Sequence, residues 1–62
     1  MGWVIRFPNH EQDSYLLRYT IKGPKFTFHV SEAYKFPTKD HAVNVLQGDE
    51  RLKGGKVEQH EG

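Results

Sequence analysis

The sequence contains no cysteine. This excludes disulfide staples, thiolate chemistry and the common zinc ligand sets, and it leaves packing or a partner to hold the fold. It also lacks any apolar run approaching the roughly 18 residues that a membrane-spanning helix needs. The first ten residues, MGWVIRFPNH, have no leader-like apolar stretch, and Arg6 stands where a myristoylation signal carries Ser or Thr. A soluble, cytoplasmic chain without membrane contact is the expectation. Neither charge sign dominates: nine Lys and Arg face eight Asp and Glu, a net of +1, so the total charge gives no argument for a nucleic-acid partner. With 62 residues, the chain makes one domain, which buries only roughly 60% of its unfolded surface and has a thin stability margin.

What is present reads as strands followed by a helix. WVIRF, residues 3–7, is rich in branched and aromatic side chains and stops at Pro8-Asn9, with PNHEQDS as a loop. YLLRYTIK, residues 15–22, and KFTFHV, residues 25–30, both alternate with period two, and Gly23-Pro24 between them is a turn signal. Pairing Ile21 with Phe26 across that turn also sets Tyr19 opposite Phe28 and Leu17 opposite Val30. Pairing Phe7 with Tyr15 sets Ile5 opposite Leu17 and Trp3 opposite Tyr19. These registers gather the large apolar residues on one face and leave Val4, Arg6, Leu16, Arg18, Thr20, Lys22, Lys25, Thr27 and His29 on the other. A short helix is predicted at 39–47, with Thr38 as N-cap, Asp40 at its positive end and Gly48 at C′. It would press Ala42, Val45 and Leu46 onto the aromatic face, with Val43 at the margin. A Gly-Gly turn then leads to a short edge strand around 56–59 and a frayed tail from about 59. The expected fold class is α+β: a three- to four-stranded antiparallel meander with one short helix on one face.

The order of a sheet followed by KFPTKDHAVNVL (35–46) and RLKGGKVE (51–58) resembles small bacteriophage and prophage proteins. In these a strand ending in Phe-x-Thr-Lys starts an acidic, alanine-containing helix. His41 stands where such proteins carry a Glu that closes a capping box. The resemblance implies an accessory role, often inhibition or modulation of a host protein in the host cytoplasm, and it implies no reaction.

The rings and cations of YLLRYTIKGPKFTFHV, which contains no carboxylate, raise the question of nucleic-acid stacking. GPKFTFHV is similar to the stacking strand of RNA-recognition domains, but the chain lacks that fold's length and first helix. Its rings share the face that the helix must cover, so they are assigned to the core. The candidate partner-binding residues are therefore Val4, Arg6, Leu16, Arg18, Lys22, Lys25 and His29 on the opposite face, with Arg18 central. Apolar neighbours beside a central arginine suit an acidic patch on a host protein. The alternatives are phosphate contacts to nucleic acid, a homodimer seam through Val4 and Leu16, and a merely solvated face. The four histidines, His10, His29, His41 and His60, show no metal-ligand spacing. His29 with Glu32 and Asp40 with His41 lack an accompanying nucleophile, and Ser14 and Ser31 read as turn and cap residues. No catalytic residue, metal or cofactor is expected.

Overall fold

A computed structural model of the chain describes residues 2–60. The strands are β1 (Gly2–Phe7), β2 (Ser14–Thr20), β3 (Gly23–Thr27) and β4 (Lys56–His60), and the helix is α1 (Lys39–Gln47). Single 3-10 turns occupy Val30–Glu32 and Glu50–Leu52. The sheet is antiparallel with order β3-β2-β1-β4, and α1 packs against it, so the fold is α+β.

Helix α1 has the bounds its capping residues predict. Thr38 is extended and its side chain accepts from the His41 N–H at 3.2 Å, while the Gly48 N–H returns to the Asn44 carbonyl. Ala42 is fully buried, and Val45 and Leu46 pack against the core. Thr38→Ala is expected to cost about 1 kcal/mol through loss of that cap; a urea titration that leaves the midpoint unmoved would show the hydroxyl to be idle.

The strand registers differ from those predicted, and local hydrogen bonds account for the difference. The Asn9 side chain donates to the Phe7 carbonyl and to Ser14 Oγ, both at 3.2 Å, and this holds Ser14, not Tyr15, opposite Phe7. In the second hairpin the turn is Ile21-Lys22, not Gly23-Pro24, and Thr20 lies opposite Gly23. Thr20 Oγ1 donates to the Gly23 carbonyl at 2.7 Å and accepts from the Lys22 N–H, closing the tight loop, and Gly23 enters β3 at φ +119°. Pro24 is tolerated because β3 is an edge strand. An irregularity between Leu16 and Arg18 then pairs Leu16 with Phe26.

A one-residue slip exchanges the faces of a strand, and its consequences are large here. Leu16, expected outside, is 2% exposed and belongs to the core with Ile5, Phe36, Ala42 and Leu52. Val4 keeps its predicted face, opposite Ile5, and no slip accounts for it, yet it is only 1% exposed. Tyr19 and Phe28, expected inside, are 46% and 58% exposed, and Ile21 is fully exposed in its turn. Trp3, Phe7 and Val57 complete the inner layer from half-buried positions. Gln59 and His60, expected to fray, form the last rungs of β4 against Trp3 and Gly2; Glu61 and Gly62 lie outside the described residues.

The sheet is forked. β1 and β2 pair only at Arg6–Tyr15 and Phe7–Ser14. Below that point the segment 34–36 enters between them: Trp3 and Phe36 exchange backbone hydrogen bonds at 3.0 and 2.7 Å, and the Tyr34 N–H donates to the Leu16 carbonyl.

Candidate functional site

The seven residues singled out by sequence do not form one surface. Val4 and Leu16 are interior, which removes the homodimer seam they were expected to provide. Arg6 is neutralised: its Nη1 donates to Asp13 at 2.9 Å and its Nε to Glu58 at 2.6 Å. Those bonds, the Asp13 one foremost, hold the guanidinium above its usual pKa. Arg18, Lys22, Lys25 and His29 remain exposed. Arg18 pairs across the hairpin with Lys25, Lys22 stands in the turn, and none of these three cations has a salt bridge among the described residues.

The rings that were assigned to the core join these cations instead. Tyr19 (β2), Ile21 (turn) and Phe26 (β3) with Phe28 just beyond put large apolar area on the hairpin's exterior. Phe26 is anchored on one side by an edge-to-face contact with Phe7 at 5.1 Å. Arg51 steadies the hairpin end: its Nη2 donates to the Tyr19 hydroxyl at 3.1 Å, and its guanidinium lies 5.7 Å from that ring's centre. Asp49 fixes Arg51 at 3.0 Å, and that hydrogen bond draws the Asp49 carboxyl below its ordinary range. The hairpin is thus a braced element with apolar and cationic groups outward.

Where β2 leaves β1, the fork opens into a groove of about 360 Å³ lined by β2 residues Leu16, Arg18 and Tyr19, by Tyr34 and Phe36, and by His41 and Val45 of α1. Phe36 organises one wall, with Tyr34 edge-on at 4.6 Å and the His41 ring at 5.4 Å. Sequence periodicity carries no sign of this groove, because it arises from insertion of 34–36 into the sheet. The Phe36 side chain was the available signal: a large apolar residue directly before the Pro37-Thr38 helix start must bury somewhere.

No group of three or more metal-binding side chains converges among the described residues, and no helix there is long and apolar enough to cross a membrane. No protein-family model, curated protein or solved structure matches the chain.

Proposed function

We propose that this chain is a non-enzymatic protein-binding module and that the β2–β3 hairpin is its contact surface. One observation carries the reading: Tyr19, Ile21 and Phe26, with Phe28 just past the end of β3, are exposed on the hairpin that carries three cations without acidic partners among the described residues. Exposed apolar area of that kind marks interaction sites, and aromatic residues next to arginine are the usual anchors. The free cations favour an acidic partner, while Asp13, Glu58 and Asp49 are occupied by the chain's own arginines. The likeness of KFPTKDHAVNVL to phage accessory proteins directs the reading to a host protein, acted on by occlusion.

A second reading draws on the same exposure. Phe26 and Phe28 flank Thr27 beside Lys25, an arrangement on which the bases of a single strand can stack.

Affinity capture from a bacterial lysate tests both, with Ile21→Glu and Lys22→Glu as paired baits. Both sites are exposed, so melting is expected to shift by no more than about a degree or two. The protein reading expects Ile21→Glu to lose one specific partner at least about tenfold and Lys22→Glu to lose less, mainly in association rate. Unchanged capture by both variants refutes it. Steeply salt-dependent binding of an oligothymidine probe that Phe28→Ala abolishes selects the nucleic-acid reading.

A further inference from the structure

The groove in the fork is separate from the exposed Ile21, Phe26 and Phe28, and it shares Arg18 and Tyr19 with the hairpin. Its floor is apolar, because Leu16 and Phe36 are core residues whose surfaces end there, and Val45 of α1 closes the far side. Arg18 stands at its margin without a carboxylate partner among the described residues. One wall is also a strand edge. Beyond the Leu16 carbonyl, which accepts from Tyr34, β2 makes no backbone hydrogen bond on the side turned away from β3 among the described residues. An unpaired edge beside an apolar hollow is the arrangement that receives an extended peptide as an added strand.

We propose that this groove takes an extended, acidic segment of a protein partner. The segment pairs with the free edge of β2 at residues 18–20, places one apolar side chain against Leu16, Phe36 and Val45, and sets a carboxylate on Arg18. The occupant follows from the size and charge of the site. A volume of about 360 Å³ lies near the small end of the roughly 300–1,000 Å³ typical of ligand pockets, which suits a side chain and not a folded element. A single guanidinium matches a single carboxylate through its two-pronged donor geometry. A nucleic acid would need a track of cations along its backbone, and Arg18 is the one Lys or Arg in the lining. The proposal rests on the protein-binding reading and specifies where the partner's recognition segment sits.

The test is selection of a random peptide library on the immobilised full chain. Enriched peptides are then synthesised with a fluorescent label and titrated by anisotropy against wild type, Arg18→Glu, Val45→Phe and Ile21→Glu. The expected consensus pairs an apolar residue with a nearby Asp or Glu. Arg18→Glu is expected to weaken binding at least about tenfold, and replacing the peptide's acid with Lys should restore part of the loss. Val45→Phe fills the hollow and should weaken binding by a similar factor. N-methylation of alternate peptide amides should abolish it, because strand pairing needs those donors. The last result is read on the wild-type chain and does not depend on whether Val45→Phe folds. Ile21→Glu is titrated alongside to read the hairpin contact separately, since Ile21 is outside the groove lining.

Failure to enrich any peptide, a consensus without acids, or indifference to both Arg18→Glu and N-methylation overturns the groove proposal. Peptides lost on Ile21→Glu but indifferent to Arg18→Glu and Val45→Phe overturn it while leaving the hairpin reading standing. Displacement of the bound peptide by an oligonucleotide or by a second copy of the chain also overturns it.

Discussion

Leu52→Ala is expected to destabilise the domain by about 2–5 kcal/mol, the range for truncating a buried leucine, because the cavity left behind cannot fully collapse. Leu52 ends the 3-10 turn Glu50–Leu52 and is completely buried with Ile5, Leu16, Phe36 and Ala42. Small domains sit near the lower end of the ordinary stability range of about 5–15 kcal/mol, so this one side chain holds a large share of the chain's stability. Phe28→Ala deletes a larger side chain, yet it is expected to cost no more than about 0.5 kcal/mol, the usual limit for a surface site. The ring is 58% exposed and lies past the end of β3. Urea unfolding of both variants in parallel decides between two registers. A large loss for Phe28→Ala with little for Leu52→Ala would mean that β2 pairs as its alternation alone suggests.

That contrast shows where the sequence was legible. The helix could be read to the residue because its signals are local: Thr38 bonds the N–H three positions on, and Gly48 follows the last turn. Strand β4 was legible for a related reason, since a Gly-Gly turn restarts the chain; its register, with Val57 opposite Ile5, comes from the structure. The register of β2 was not. Its alternation is nearly symmetric, with Leu16 and Leu17 adjacent, so either face can supply the core and the choice falls to distant groups. Asn9 bonding Ser14, Thr20 bonding Gly23, and the arrival of Phe36 and Leu52 settle it, and none of these is a periodic signal. The candidate site inherited that error. Arg18, Lys22 and Lys25 were placed outside and are outside, but the neighbours assigned to them, Val4 and Leu16, are interior, and the rings assigned to the interior stand beside them.

The two glycines that restart the chain are needed for different reasons, and substitution should separate them. Gly54 has φ +93° and nothing within 4 Å of an added Cβ, so the constraint there is on the backbone alone. Gly54→Ala is expected to cost about 1–2 kcal/mol, the penalty for an L side chain on the left-handed side of the map. D-alanine at the same position, introduced by chemical synthesis, is expected to be neutral or to stabilise by up to about 1 kcal/mol, because it restricts the unfolded chain without straining the folded one. Gly55 is limited by space. A Cβ there would lie 2.7 Å from Phe7 Cε2, 2.9 Å from Ile5 Cγ2 and 3.0 Å from Leu46 Cδ1. The Phe7 ring and the Leu46 methyl are half-buried and can shift, but Ile5 is fully enclosed. Gly55→Ala is therefore expected to cost about 1–3 kcal/mol by overpacking. It pushes on the joint where β1, β4 and α1 meet, so the loss should be coupled to Leu46. Leu46→Ala removes one of the clashing groups, and in the double variant the two losses should sum to less than their separate values by about 0.5 kcal/mol or more. Thermal melts of the two singles and the double measure that coupling. Simple additivity, or a Gly55→Ala chain as stable as the parent, would show that the turn is not packed against the core and that β4 is held by its backbone ladder alone.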